Sequence, residues 1–213
     1  MHDAFQNMDD IAAQKVLLRK ELKTRRAALA GQPAQQRQLA LESKAICSAI
    51  LRHCIYTQAP LILAYCAVSG EADIGAVIAQ ALADGKKAAI PRVHSNTQMD
   101  FYLLNADTTL ASQTERGVFG IAEPYGSLVR LDADDIPHGT LILTPLAAAD
   151  AHGGRLGHGR GCYDRYFARI PASVRICGCA LAYQLCPHIP MQPHDRRLDF
   201  LACADGVHAC TQP

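Results

Sequence analysis

The chain has 213 residues, a length that favours one α/β domain over two and that buries an adequate core without disulfides or metals. Its 21 basic and 20 acidic residues give a formal net charge of +1, which argues against a nucleic-acid-binding surface spread over the protein. The first ten residues lack the apolar core of a signal peptide, and no apolar stretch approaches the roughly 20 residues of a membrane span. We therefore expect a soluble domain over residues 1–213, with 1–9 as a disordered tail.

The cysteine pattern argues against a disulfide framework. There are nine cysteines, an odd number, and no C-x-x-C pair. Several lie inside apolar runs, where a thiol packs as a small hydrophobic group. We therefore expect a reduced, cytoplasmic protein with no structural zinc site.

The first predicted helix carries a basic cluster. Asp9 or Asp10 is placed to cap a helix that runs to about Leu29. Lys15 and Arg19 are four residues apart, so they project from one face of this helix. From the residues alone a solvated basic face is the favoured interpretation of this pair, and a site for a small anionic ligand is the alternative.

The next elements predict a strand–helix–strand unit. A second helix is expected from Pro33 to about His53, because proline suits the first helical turn. The apolar run 61–68 predicts a buried strand, the spacing of apolar residues over 73–83 predicts a helix, and Lys87 begins the next strand. Short turns in such a unit imply parallel strands.

The rest of the chain completes a doubly wound α/β fold in three layers, with a mostly parallel sheet of five or six strands flanked by helices. The long segment 105–138 reads as a loop that binds substrate. The remaining predicted elements are strands at Met99–Leu104, Leu141–Leu146, Val174–Tyr183 and Leu198–Cys203, and a helix at Cys162–Ala168. Ligands of such folds bind at the carboxyl ends of the strands.

A glycine-rich basic loop follows the Leu141 strand. Five glycines fall within residues 153–161, interleaved with Arg155, His158 and Arg160, and Asp164 follows at the start of a helix. Glycines let backbone N–H groups converge, and arginines and a helix N-terminus add positive charge, so this pattern suits a phosphate group. A flexible surface loop is the alternative. The loop lacks the Gly-Lys-Ser/Thr ending of a Walker A motif.

Several motifs together resemble the 5-formyltetrahydrofolate cyclo-ligase family, also called methenyltetrahydrofolate synthetase. They run in family order along nearly the whole chain, from KVLLR through SGEADI, IPRV, GVFGIAEP and TPLAAADAHGGRLGHGRGCYDRY to QPHDRRLD. The resemblance implies an ATP- and Mg²⁺-dependent enzyme that converts 5-formyltetrahydrofolate to 5,10-methenyltetrahydrofolate with release of ADP and phosphate. Its partners are then these small molecules, with no nucleic acid and no membrane, in a monomer or weak homodimer.

The resemblance also implies roles for individual residues. Asp164 and Asp199 match the Mg²⁺ acids, Arg160 and Tyr163 are expected to be catalytic, and Glu71, Phe119 and Tyr163 match residues that contact the folate. Those expected to bind ATP are Lys15, Arg19, Arg155, Leu156, Gly157, His158, Gly159, Arg160, Gly161, Cys162 and Tyr163.

Two positions depart from the family pattern. Cys162 stands where a tyrosine is usual, and Ala149 stands where a phenylalanine is common. Both changes remove aromatic surface near the expected pocket. Two further hypotheses therefore stay open: a folate- or nucleotide-binding protein without catalysis, and an isomerase of sugar phosphates that uses the same anion site.

Overall fold

The computed structural model describes residues 2–95, 97–117, 120–193 and 195–211, with backbone alone for 2–9. Among these residues no helix is both long enough and apolar enough to cross a bilayer. The helices are α1 (His2–Ala30), α2 (Pro33–Arg52), α3 (Cys54–Thr57), α4 (Gly75–Ala83) and α5 (Cys162–Phe167).

Twelve strands lie within the described residues. They are β1 (Leu61–Leu63), β2 (Lys87–Val93), β3 (Met99–Leu103), β4 (Thr114–Arg116), β5 (Ala122–Pro124), β6 (Arg130–Leu131), β7 (Leu141–Thr144), β8 (Ala148–Ala149), β9 (Arg155–Leu156), β10 (Arg175–Cys179), β11 (Phe200–Cys203) and β12 (Gly206–Ala209).

Eight of these strands form the central sheet, in the order β12-β11-β10-β7-β1-β2-β3-β6. The five central strands are parallel, and β3, β6 and β12 pair antiparallel at the two edges. The predicted doubly wound, mostly parallel fold is thus confirmed. The sheet exceeds the expected five or six strands because two short edge strands, β6 and β12, carry little apolar pattern.

Alternating side chains of the sheet pack into two cores. On one face Ile62 and Leu143 contact α2 and α4, and on the other Leu63 and Ile142 belong to the core around α5. Helix α1 contributes Leu22 to a third cluster, together with Leu156. This helix therefore packs on the segment that carries the glycine-rich loop.

Two boundaries differ from the sequence expectation in ways that matter for the site. Helix α1 begins at His2, so the segment 2–9 that we expected to be a tail is assigned to the helix. The segment 105–138 was expected to be a loop, but it contains the β4–β5 hairpin and β6. These strands are only two or three residues long, too short for periodicity to reveal.

Candidate functional site

A cavity of about 420 Å³ opens at the carboxyl ends of the parallel strands. One side is formed by the turn after β1 and by the β2–β3 and β4–β5 regions, and the other by the glycine-rich loop and α5. Its lining combines apolar groups with a few polar ones: Arg26, Tyr65, Cys66, Val68, Glu71, Pro91, Val93, Met99, Ile121, Ala122, Glu123, Pro145, Arg155, Gly157, His158, Arg160, Gly161, Cys162, Tyr163 and Asp164. This composition is typical of a small-molecule site.

Asp150 organises the start of the glycine-rich loop. Its Oδ1 accepts hydrogen bonds from the backbone N–H groups of His152 (2.9 Å) and Gly154 (2.8 Å), and its Oδ2 accepts one from Ile189 (2.7 Å). A Cβ at residue 154 would lie 2.5 Å from Oδ2, so only glycine fits this turn. Asp150 is fully engaged in shaping the loop, which leaves ligand contacts to the residues that follow.

The end of the loop leads directly into α5. Gly161 takes a left-handed conformation (φ +66°) as the N-cap of the helix. Arg165 donates to the carbonyl oxygens of Arg160 and, at 2.7 Å, of Thr97. These bonds tie the loop to the β2–β3 turn and hold Arg160 at the cavity wall.

Helix α1 packs next to the glycine-rich loop and carries Lys15 and Arg19, the two cations that the sequence analysis named. Arg19 donates from Nε to the carbonyl oxygen of Gly157 (2.9 Å). Lys15, which is buried, forms an ion pair with Asp195 and contacts Gln192 Oε1 at 3.4 Å. The i,i+4 spacing thus places both side chains on one face of α1, where Arg19 meets the loop and Lys15 meets Gln192 and Asp195.

Arg155 lies beneath the loop and pairs with Asp164. Its side chain is only 3% exposed, and Nη2 donates to the Asp164 carboxylate. The guanidinium packs over the rings of Phe167 (5.4 Å) and Tyr163 (5.7 Å), and Nη1 donates to the carbonyl oxygen of Pro145 at 3.4 Å. Arg155 therefore fixes Asp164 at the cavity, while Asp164 itself stays 40% exposed.

The charges of this region act on one another. Burial lowers the pKa of Arg19, while the carboxylates of Asp164 and Asp195 raise it and Arg155 lowers it further. Both acids therefore lie within electrostatic range of one guanidinium. The structure brings together the cations of α1, Arg155 and two carboxylates. They lie near the carboxyl ends of the parallel strands, where the sequence predicts ligand binding.

Glu71 enters the same cavity from the turn after β1. Its side chain is 6% exposed, Oε1 lies 2.8 Å from His158 Nε2, and Oε2 accepts the backbone N–H of Val68 at 3.1 Å. His158 thus links the glycine-rich loop to the opposite wall. A ligand that takes the Glu71 carboxylate has to displace this imidazole.

Tyr163 contributes a buried hydroxyl group. The ring is partly exposed, but its oxygen is buried and has no hydrogen-bond partner among the described residues. Burial, and next the charge of Glu71, hold the pKa of Tyr163 well above its ordinary value. The group is therefore a neutral hydroxyl that is able to donate or accept within the cavity.

Asp199 lies away from this cluster. It is the residue before β11, which runs parallel to β10, so it occupies the amino ends of these strands. Its Oδ2 accepts the backbone N–H of Ile176 at 2.7 Å, and its own N–H bonds to the Ile176 carbonyl oxygen at 2.9 Å. Asp199 thus lies apart from Asp164, whereas Asp195 interacts electrostatically with Arg19, as Asp164 does.

Three other predicted site residues have different positions. Leu156 is buried in the small core beneath α1, so its side chain is not available to a nucleotide. Cys162 lines the cavity at the start of α5. Phe119, predicted to stack on the folate, lies outside the described residues.

The carboxylate pair fits magnesium. Within the described part of the chain no three His, Cys, Asp or Glu side chains converge as a metal site. Mg²⁺ does not require such a cage, because it is commonly held by one or two carboxylates, water and substrate phosphates. Asp164 and Asp195 both lie within electrostatic range of Arg19, and they supply two carboxylates with hard oxygen atoms.

Sequence reasoning missed Asp195 and Glu123. Asp195 and Asp199 share the motif QPHDRRLD, and only the topology separates them. The segment after β10 starts at the carboxyl edge and must return to the amino edge before a parallel strand begins. Because Asp195 comes before Asp199 in this segment, Asp195 is the acid that lies nearer to the carboxyl edge and the site. Glu123 lies in the motif GVFGIAEP, but no role was expected for it, because the segment 105–138 was expected to be a loop.

The fold and the site define an α/β protein in which a cluster of paired cations and carboxylates lies next to a mainly apolar cavity. The chain belongs to the 5-formyltetrahydrofolate cyclo-ligase family, whose model matches residues 11–203. A mouse 5-formyltetrahydrofolate cyclo-ligase is 30% identical over 194 residues, which cover 89% of this chain and 93% of the mouse protein. The chain is therefore an enzyme of this family.

Solved structures of 5,10-methenyltetrahydrofolate synthetases have the same fold as this chain. The Aquifex aeolicus 5,10-methenyltetrahydrofolate synthetase superposes with a TM-score of 0.74 at 26% identity, covering 93% of this chain and 94% of that one. A synthetase from Mycoplasma pneumoniae shares the fold with a TM-score of 0.66 at 19% identity, covering 89% and 98%.

Proposed function

We propose that this enzyme converts 5-formyltetrahydrofolate to 5,10-methenyltetrahydrofolate, using ATP and Mg²⁺ and releasing ADP and phosphate. In this reaction the formyl oxygen attacks the γ-phosphorus and ADP leaves. N10 then attacks the formyl carbon, N10 loses its proton, and the C–O bond to phosphate breaks. Membership of the family supports the overall conversion.

One observation carries the assignment of ATP to this site: α1 and the glycine-rich loop present cations to the mouth of a cavity that also holds Glu71. From α1, Arg19 reaches the loop and Lys15 reaches Asp195, and Arg160 lines the cavity wall. Phosphoryl transfer requires mainly positioning and neutralisation of charge, which such a cluster supplies. We assign the triphosphate to this half, in contact with the backbone of residues 157–161.

We assign the metal to Asp164 and Asp195 rather than to Asp164 and Asp199. When bound, Mg²⁺ neutralises phosphate charge as it builds up at the reacting oxygens. Arg155 holds Asp164 in place, and Lys15 holds Asp195. Lys15, which pairs with Asp195, would lie next to the bound phosphates and would add positive charge there.

The folate occupies the apolar cavity in this proposal. The Glu71 carboxylate accepts N–H groups of the pterin after His158 moves aside, since both compete for Oε1. The neutral Tyr163 hydroxyl is placed to donate a hydrogen bond to an oxygen of the substrate. The thiol of Cys162 borders the same space.

A direct test mixes the purified protein with 5-formyltetrahydrofolate, ATP and Mg²⁺ and follows the absorbance of methenyltetrahydrofolate. We expect turnover that requires all three components. Folded protein that gives no product at millimolar Mg·ATP overturns the proposal. Tight folate binding without consumption of ATP would instead identify a binding protein.

A further inference from the structure

Glu123 is a buried acid in the cavity wall that the reaction scheme above does not use. It lies at the centre of β5, it is 3% exposed, and it lines the same cavity as Glu71. Its Oε1 is buried without a hydrogen-bond partner among the residues the structure describes. Burial raises the pKa of this carboxyl group, although the backbone of Val93 donates a hydrogen bond to it.

The surrounding chain makes room for this carboxyl group but does not neutralise it. A Cβ at Gly117 would lie 2.1 Å from Glu123 Cδ, so the glycine at residue 117 is what admits the side chain. The nearby cation, Arg92, is committed elsewhere: it pairs with Glu115 at 2.7 Å and donates to the carbonyl oxygen of Pro124 at 2.6 Å. Glu115 lies directly opposite Glu123 in the hairpin.

A buried carboxylate oxygen without a donor destabilises the fold, so a ligand that donates a hydrogen bond there gains the full benefit of satisfying it. An ionised carboxylate only accepts hydrogen bonds. The apolar lining around it, with Val93, Ile121 and Met99, suits a flat heterocycle. The missing partner is therefore an N–H group on such a ring.

We propose that Glu123 Oε1 accepts a hydrogen bond from an N–H group of the reduced pterin, as a second substrate-recognition carboxylate in the cavity with Glu71. This inference rests on the proposed function, because it takes the folate to be the occupant of the cavity. It makes Glu123 a determinant of affinity for the folate, with no contact to ATP.

The test compares Glu123→Gln with Glu115→Gln. Glutamine at 123 keeps the size of the side chain and an oxygen for the Val93 N–H, but it turns an N–H₂ group towards the ligand. We expect the Kd for 5-formyltetrahydrofolate, measured by calorimetry without ATP, to rise about tenfold or more. The KM for ATP should stay within about twofold. Glu115→Gln removes the same charge from the exposed neighbour and should leave both constants within about twofold.

Stability separates a ligand contact from a structural role. We expect Glu123→Gln to melt at or above the wild-type temperature, because an unsatisfied buried carboxylate is removed. Glu123→Met, which removes both oxygens, should also weaken folate binding. Folate affinity within twofold of wild type in the folded variants overturns the inference, as does a change confined to the KM for ATP.

The outcomes are distinguishable from those of the proposed function. A wild-type protein that binds folate and shows the Glu123 effect, yet forms no product, refutes the proposed reaction and supports this inference. A wild-type protein that turns over while the variants bind folate normally refutes this inference alone. Wild-type protein that binds no folate refutes both.

Discussion

The two halves of the site differ in how their polar groups are satisfied. In the charged half the carboxylates are already paired with cations, Asp195 with Lys15 and Asp164 with Arg155. Arg155 Nε alone of these groups is buried without a partner in the described residues. In the cavity half, the Tyr163 hydroxyl and Glu123 Oε1 are buried without partners among the described residues. The charged half therefore binds mainly by exchanging partners. In the cavity half Tyr163 and Glu123 gain partners, and Glu71 exchanges His158 for the ligand.

This difference determines how strongly a substitution in each half is expected to change activity, affinity and stability. Removing one member of a buried ion pair leaves the other charge uncompensated, so the loss is large and includes a loss of stability. Removing a group that has no partner costs the free protein nothing, so it changes affinity while stability stays or rises. Variants in the two halves should thus separate into two classes.

The largest effect is expected for Asp164→Ala. The change removes a proposed metal ligand and leaves the buried guanidinium of Arg155 without its carboxylate. We expect turnover to fall about 10³-fold, a loss typical of removing a preorganised electrostatic group. The absorbance assay over a range of Mg²⁺ concentrations measures it.

Folate binding without ATP is the control for Asp164→Ala, and it should remain within about tenfold of wild type if the cavity half is intact. A variant that keeps both the wild-type rate and the wild-type Mg²⁺ dependence removes Asp164 from the metal site.

Asp195 and Asp199, the two acids of the motif QPHDRRLD, give a matched pair of variants. We expect Asp195→Ala to raise the Mg²⁺ concentration for half-maximal rate about tenfold or more, because one of two proposed ligands is lost. Asp199→Ala should leave this value unchanged and lower stability by about 1–3 kcal/mol, since the Ile176 N–H loses its acceptor. Titration with Mg²⁺ measures the first effect, and thermal melting measures the second. If Asp199→Ala raises this Mg²⁺ concentration and Asp195→Ala does not, then Asp199 is the metal ligand.

The sequence was sufficient for the parts of the site that depend on local pattern. The i,i+4 pair in α1 and the glycine loop before α5 are encoded within a few residues, and both lie at the predicted edge of the sheet. The parallel order of the strands followed from the strand–helix–strand pattern. These features require no knowledge of distant contacts.

The remainder depends on contacts between distant parts of the chain. Asp195 meets Lys15 across 180 residues of sequence, and Glu71 meets His158 across 87. Whether an acid in QPHDRRLD reaches the site depends on which edge of the sheet the chain has reached. Glu123 is buried in a short hairpin in which Gly117 leaves room for its side chain. Periodicity carries no information about such pairings.

A smaller effect is expected in the charged half for Lys15→Met. Lys15 is buried next to Gln192 and Asp195, whereas Lys20 on the same helix is exposed. We expect Lys15→Met to raise the KM for ATP about tenfold, the size of one charge-assisted hydrogen bond, and to lower stability because Asp195 loses its partner. Lys20→Met removes the same charge and should change it by less than about twofold. Equal effects of the two variants mean that α1 acts only through its overall charge.

The smallest effect, and the clearest difference between the two halves, is expected in the pH dependence of stability for Glu123→Gln. Burial raises the pKa of Glu123 above its ordinary value of 4.5. The folded wild-type protein therefore holds this proton more tightly than the unfolded chain does. Its contribution to stability is present below about pH 4.5 and is lost as pH rises through the folded pKa.

Glutamine does not titrate, so the variant escapes that loss. The free energy of unfolding of Glu123→Gln minus that of wild type should increase as pH rises from about 4.5 and then level off, reaching about 1 kcal/mol. Denaturant unfolding of both proteins across this range measures it, with Glu115→Gln as the exposed control. A difference that shrinks as pH rises means that the carboxylate is stabilised by the folded chain itself, and then no ligand N–H is needed to explain why a buried acid lies in this wall.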